Sequence, residues 1–147
     1  MTAIKVLIVD DVSQVRQDLR TVLVLAGGEG GERPADRDHP ANEGHLENNK
    51  KTIEIVGEAG DGLQAIGQAE KLQPQVVLMD LEMPVMDGYE ATRRIKTLLP
   101  TCRVLALSVH DYEAARQKAF QAGVDGFIVK GVSVETLVQA ILERSEV

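Results

Sequence analysis

Long apolar runs and helical spacings alternate along this chain. Residues 4–9 form a near-continuous aliphatic run, as expected of a strand covered on both faces. From Val12 the period changes: Val15, Leu19, Val22 and Leu23 fall at helical intervals, with Ser13 as the expected N-cap. TIEIVGEA (Thr52 to Ala59) reads as a second strand. A helix carrying Leu63, Ile66, Ala69 and Leu72 follows GDG at 60–62 and stops at Pro74. QVVLMD (Gln75 to Asp80) is the third strand, and Gly88 opens a helix with Ala91, Ile95 and Leu98 that Pro100 closes. RVLALS (Arg103 to Ser108) is the fourth strand, and Asp111 to Gly123 reads as a helix ended by glycine. GFIVK (Gly126 to Lys130) is the fifth strand, and the last helix starts near Ser133 with Leu137, Ala140 and Ile141 on one face. Strand and helix alternate five times. This predicts an α/β fold: a doubly wound, five-stranded parallel sheet with helices on both faces.

One segment breaks the rhythm. Residues 27–51 carry five glycines, two prolines and many charges, and Leu46 is their only large aliphatic residue. Such a stretch cannot bury enough apolar area to offset its ordering entropy. It reads as a flexible insertion between the first helix and the second strand, where a few residues normally suffice. His39 and His45 lie in it beside several acids, and a solvated polar loop is a better reading of them than a metal site.

Composition narrows the class. A length of 147 residues suits one domain, and 44% hydrophobic with 27% charged residues allows both a core and solubility. No apolar stretch approaches the roughly 20 residues needed to span a bilayer. The N-terminus runs straight into a strand with no cleavable signal pattern, so a cytoplasmic protein without membrane association is expected. A lone Cys102 rules out an internal disulfide and a multi-cysteine metal site. The net charge of −7 argues against direct nucleic acid binding by this domain.

The candidate chemistry sits where the apolar runs stop. Asp10 with Asp11, then Asp80, Ser108 and Lys130 terminate four of the runs. In doubly wound folds, ligands bind beyond the carboxyl ends of the strands. Three carboxylates, a hydroxyl and an ammonium in one crevice could hold a divalent metal and take a phosphoryl group onto a carboxylate. Asp10–Asp11 could simply cap a helix, but one aspartate suffices for that, and a pair concentrates charge unless a cation is present. Asp80 could begin a turn, yet LEMPVMDG behind it, with Pro84 and Asp87–Gly88, makes a rigid loop that displays the carboxylate. Ser108 or Lys130 alone would be unremarked; their joint placement at successive strand ends is the signal.

These stretches resemble the response-regulator receiver domain of two-component signalling: IVDD, VVLMDLEMPVMDG, LALSVH, AGVDGFIVKG and the final helix. VGEAGDGLQAI, LSVHD and AGVDGF are most similar to receivers that precede LuxR/NarL-type helix-turn-helix domains. The resemblance covers nearly all of the chain except 27–51. It implies the flavodoxin-like strand order 2-1-3-4-5. It implies Asp80 as phosphate acceptor, and Asp10 and Asp11 as the acidic pair around Mg²⁺. Glu82 matches the position whose backbone carbonyl reaches the metal. Ser108 matches the hydroxyl that receives a phosphoryl oxygen, and Lys130 the lysine that pairs with the phosphate. Phe127 falls at the aromatic switch position. Two departures stand out. Many receivers follow the lysine with proline through a cis bond, and this chain has Gly131; the switch residue is Phe, without a tyrosine hydroxyl.

The resemblance implies a phosphorylation-activated switch. It would accept a phosphoryl group on Asp80 from a histidine kinase or phosphotransfer protein, with Mg²⁺, and catalyse only its own phosphorylation and dephosphorylation. Ser108 would be drawn to the phosphoryl group and Phe127 would fill the vacated space; plain core packing is the alternative for Phe127. The interaction surface expected to change lies along the fourth helix, fifth strand and fifth helix, and homodimerisation there is possible. Asp111, Glu113, Arg116, Lys118, Glu135 and Gln139 are its expected exposed groups. Two other classes stay open at this point: an aspartyl-phosphate phosphatase or phosphotransferase, and a docking module that is not phosphorylated. The sequence also leaves open whether a DNA-binding domain follows Val147.

Overall fold

A computed structural model of the chain describes residues 2–27 and 51–143. In chain order its elements are β1 (Thr2–Val9), α1 (Ser13–Gly27), β2 (Lys51–Ala59), α2 (Gly62–Leu72), β3 (Val76–Asp80), α3 (Gly88–Leu98), β4 (Arg103–Ser108), α4 (Glu113–Ala122), β5 (Gly126–Val129) and α5 (Val134–Leu142). The strands are parallel and ordered β2-β1-β3-β4-β5, which is the doubly wound sheet expected. Of the insertion read at 27–51, only Gly27 at the end of α1 and Lys51 at the start of β2 lie within the described residues.

Two apolar layers explain the unbroken aliphatic strands. Leu7, Val9, Val77, Met79, Val104 and Ala106 pack with Ala65 and Ala69 of α2, Ala91 and Ile95 of α3 and Ala119 of α4. Val6, Ile8, Leu78, Leu105, Leu107 and Ile128 pack on the other face with Leu23 of α1 and Leu137 and Ile141 of α5. Successive strand residues point to opposite layers, so neither parity can be polar. Every residue of β3 is buried.

Helix starts follow local capping chemistry. The carboxylate of Asp61 accepts from the Gln64 N–H at 2.9 Å, that of Asp87 from Glu90 at 3.0 Å, and the Ser133 hydroxyl from Thr136 at 3.1 Å. The expected cap at Ser13 is corrected. Ser13 is the first helical residue, and the Val12 carbonyl takes the first helical bonds, from Val15 at 3.0 Å and Arg16 at 3.2 Å. Asp10 Oδ1 already accepts the Val12 N–H at 2.9 Å, so the turn into α1 is set one residue earlier than the sequence suggested.

The strand order reverses between β1 and β3. In their shared register Val9 pairs with Met79, so Asp10 and Asp80 follow at the same level at the carboxyl edge of the sheet. That switch point is where ligands bind in such folds.

Candidate functional site

The site is built from strand ends that the order of the sheet makes neighbours. Asp10 follows β1, Asp80 ends β3, Ser108 ends β4 and Lys130 follows β5. One carboxylate oxygen from each of Asp10, Asp11 and Asp80 lies within 4.8 Å of the others. Asp10 and Asp80 are buried, at 1% and 4% exposure, and Asp11 is exposed at the rim. Lys130 Nζ reaches over β4 to Asp10 Oδ2 at 3.2 Å and Asp80 Oδ1 at 3.4 Å. All four charged groups singled out in the sequence therefore meet.

Each buried carboxylate is partly satisfied by main chain. Asp80 Oδ1 accepts the Glu82 N–H at 3.2 Å, so Oδ2 is the oxygen that carries neither that bond nor the lysine. Burial pushes the Asp80 carboxyl up to about 6; Asp10 pushes the same way, while the Glu82 N–H and Lys130 oppose it. For Lys130, burial works to lower the ammonium, but the Asp80 and Asp10 carboxylates more than offset it and hold it above its ordinary value. Three carboxylates face one ammonium, an excess of negative charge that a cation would relieve. The donors are all oxygens, which suits a hard divalent ion such as Mg²⁺.

Ser108 is buried beside the cluster with its hydroxyl turned to its own loop. Oγ accepts the His110 N–H at 2.9 Å and donates to the His110 carbonyl at 3.3 Å. His110 Nε2 in turn lies 2.8 Å from Glu82 Oε2, so the loops after β3 and β4 meet across the mouth of the site. Phe127 is half-buried against the layer of α2, α3 and α4, and the Arg116 guanidinium sits over its ring at 4.7 Å. Arg116 also pairs with Asp111 at 3.0 Å, and Lys118 lies over the Tyr89 ring at 4.3 Å. Both cations expected as plain surface charges on α4 are thus engaged with aromatic rings.

Two backbone features hold the site open. A Cβ at residue 88 would stand 2.2 Å from the Asp80 carbonyl, so only glycine lets α3 start against the end of β3. After Lys130 the chain turns through Gly131 at φ +102, closed by the Val132 N–H on the Val129 carbonyl at 3.3 Å. That is the third position of a turn needing positive φ, which proline cannot adopt. The peptide bonds of the described residues include no cis bond.

Sequence reasoning missed Arg16 and His110. Arg16 donates to the Asp10 carbonyl at 2.6 Å and to Glu58 at 3.0 Å. A charged residue in the first turn of an amphipathic helix reads as solvated, and its one signal was the acid at 58 on the adjoining strand.

Comparison with known proteins agrees with this geometry. Residues 38–142 match the family described as the response regulator receiver domain. The chain is similar to the transcriptional regulatory protein LnrK of Bacillus subtilis, 30% identical over 139 residues, which is 95% of this chain and 52% of LnrK. It is similar to the response regulator protein VraR of Staphylococcus aureus, 42% identical over 93 residues, 63% of this chain and 44% of VraR. The chain thus spans about half the length of these curated relatives. Among solved structures, the signal receiver domain of the putative response regulator NarL from Mycobacterium tuberculosis superposes with a TM-score of 0.76 at 29% identity, covering 97% of this chain and 95% of that one. The chemotaxis protein CheY4 of Vibrio cholerae superposes with a TM-score of 0.71 at 26% identity, covering 95% and 96%.

Proposed function

The chain belongs to the response-regulator receiver domains of two-component systems, and from that premise we propose that it is a switch phosphorylated on Asp80 with Mg²⁺. The observation that carries this reading is the meeting of Asp80 with Asp10, Asp11 and Lys130 at the sheet's switch point. Asp10, Asp11 and Asp80 would hold the ion by carboxylate, and Glu82 by its backbone carbonyl. Bound there, Mg²⁺ would supply positive charge against phosphoryl oxygens and so offset their repulsion by the carboxylates.

The chain's own groups account for the rest. Asp80 presents a carboxylate oxygen, best Oδ2, to the phosphorus of a phosphohistidine on a histidine kinase or phosphotransfer protein. An O–P bond forms as the N–P bond breaks, and the electron pair leaves on the imidazole nitrogen, which takes up a proton. Lys130 pairs with the transferred group by a charge-assisted contact. Ser108 leaves its bonds to His110 and donates to a phosphoryl oxygen. Catalysis here is positioning and electrostatics, so the domain promotes only its own phosphorylation and dephosphorylation. Phe127 would then move against the core and change the surface of α4, β5 and α5, through which a second copy or an output partner binds.

Residues 1–147 are taken as a single receiver domain with 27–51 as its insertion, working in the cytoplasm beside its kinase. Among the described residues no helix is long and apolar enough to cross a membrane. The test is intact mass after acetyl phosphate with Mg²⁺. One added phosphoryl group is expected, lost on chelation and in Asp80→Asn. Undiminished labelling of that variant would overturn the assignment.

A further inference from the structure

Asp10 stands between two ladders and its carbonyl belongs to neither. Its N–H goes to the Ala59 carbonyl at 3.1 Å, continuing the β1–β2 pairing, while helix α1 begins its own bonds at the Val12 carbonyl. The Asp10 carbonyl instead accepts from Arg16 Nη1 at 2.6 Å. The same guanidinium donates through Nε to Glu58 Oε1 at 3.0 Å, and Arg20, one turn along α1, takes Glu58 Oε2 at 3.0 Å. Both oxygens of a β2 carboxylate are therefore gripped from α1, and the grip delivers one guanidinium to the main chain between the two acids.

We infer that Arg16, anchored by Glu58, is a positioning residue for the Asp10–Asp11 pair and sets the affinity of the site for Mg²⁺. The inference rests on the reading of the acidic cluster as a Mg²⁺ site and names a determinant outside the ligand set. Asp10 has its carboxylate held directly, by the Val12 N–H and Lys130. Asp11 is exposed, and its carboxylate makes no hydrogen bond or ion pair among the described residues. Its position therefore depends on its backbone. The Asp10 carbonyl, the Asp11 nitrogen and the Asp11 Cα share one peptide plane, so holding the oxygen helps to hold the Cα from which the Asp11 carboxylate extends.

Charge and geometry act with opposite signs here. A guanidinium near a cation site repels the ion, and Glu58, shared with Arg20, offsets only part of that charge. Burial works to raise the Glu58 carboxyl, yet the hydrogen bonds and charges of Arg20 and Arg16 bring it below its ordinary value, so it stays ionised. Removing the Arg16 charge alone would favour the ion, so a loss of affinity reports orientation, the effect by which groups behind metal ligands commonly change affinity about 10–100-fold.

The experiment titrates Mg²⁺ into the metal-free domain, followed by amide chemical shifts, with a thermal melt of each variant. Arg16→Ala is expected to weaken Mg²⁺ binding roughly tenfold, the low end of that range. Arg16→Lys should recover part of the loss, because an ammonium reaches one partner but lacks the fork that spans both. Arg20→Ala removes half of the same tether without touching Asp10; it should lower the melting temperature yet leave Mg²⁺ affinity within about twofold. Affinity unchanged in Arg16→Ala, or reduced equally in Arg20→Ala, would overturn the inference. Should Arg16→Ala not fold, the same comparison is made between Arg16→Lys and Arg20→Ala: a loss confined to the first supports it, equal values sink it. Wild-type protein indifferent to Mg²⁺, or Asp11→Asn binding it as well as wild type, would instead remove the metal site itself.

Discussion

Lys130 Nζ stands 3.4 Å from Asp80 Oδ1, and the strands that carry the two residues are separated by β4. The side chain is 29% exposed at the lysine and 5% at the aspartate, so the ammonium enters the crevice from its rim. Two buried carboxylates, Asp10 and Asp80, share this one cation. Unpaired buried charge is costly, and the pairing makes the metal-free site tolerable.

Lys130→Ala should therefore destabilise the metal-free domain by about 2 kcal/mol, less than a fully buried pair because the lysine is partly solvated. Urea unfolding with and without Mg²⁺ is the measurement. Mg²⁺ should recover part of the loss, since a cation again faces the carboxylates. An unchanged midpoint would mean that Lys130 does not balance the cluster.

Asp80→Asn should act with the opposite sign. It removes one of the crowded charges, so the metal-free variant should be more stable than wild type by about 1–2 kcal/mol. Saturating Mg²⁺ should shrink the difference, because the ion stabilises only a protein that binds it, by RT ln(1 + [L]/Kd). A variant less stable than wild type without metal would show that the carboxylates do not strain the fold.

Backbone strain also occurs in the loop that follows Asp80. Val85 adopts φ +71, and the Met86 N–H closes a tight turn on the Pro84 carbonyl at 2.7 Å. A β-branched residue is disfavoured there, and its side chain, 78% exposed, gains little from packing. Val85→Gly, which has no Cβ to strain in this turn, should raise stability by about 0.5–1 kcal/mol. A lower melting temperature would mean that the turn relaxes around valine at no cost.

The Arg16–Glu58–Arg20 cluster has a definite pH signature. The folded Glu58 carboxyl titrates below its unfolded value near 4.5, so its stabilisation is present above that pH and is lost as pH falls through the folded value. Glu58→Gln should cost about 0.5–1 kcal/mol at pH 7 and progressively less below pH 4.5, as the wild-type carboxyl itself is protonated. A penalty constant across that window would place the contribution in packing instead of charge.

Legibility from sequence followed burial. β1 and β3 were readable because both faces are covered, which leaves runs such as VLIV and VVLM without a polar parity. Asp10, Asp80 and Lys130 were readable because a charge ending such a run has few solvated alternatives. Arg16 and Glu58 were not, since each is ordinary at an amphipathic surface and only the packing of α1 against β2 brings them together. The turn at Gly131 shows the same limit: its glycine was visible, but the positive φ that excludes proline belongs to the path of the backbone. Residues 28–50 lie outside the described structure, and their reading as an insertion comes from composition and from the length of the connection between α1 and β2.

The last expectation concerns the switch. Ser108 spends its hydroxyl on both main-chain groups of His110, and the next residue, Asp111, pairs with the arginine that covers Phe127. A phosphoryl group on Asp80 adds about −1.5 to −2 charges. Drawing the Ser108 hydroxyl to it must break the His110 bonds, loosen the loop at 109–112 and shift the Asp111–Arg116 pair. Phe127 then loses the cation held over its ring. Beryllofluoride with Mg²⁺, as a phosphoryl mimic, should therefore change amide exchange across 108–143, and Ser108→Ala should blunt the change. Self-association or partner binding should tighten by about 1–3 kcal/mol, the usual span of such coupling, read by sedimentation with and without the mimic. An identical sedimentation profile would still allow a hetero-partner. An identical exchange pattern over 108–143 as well would mean that Ser108 does not transmit the charge, and the route through His110, Asp111 and Arg116 to Phe127 would have to be given up.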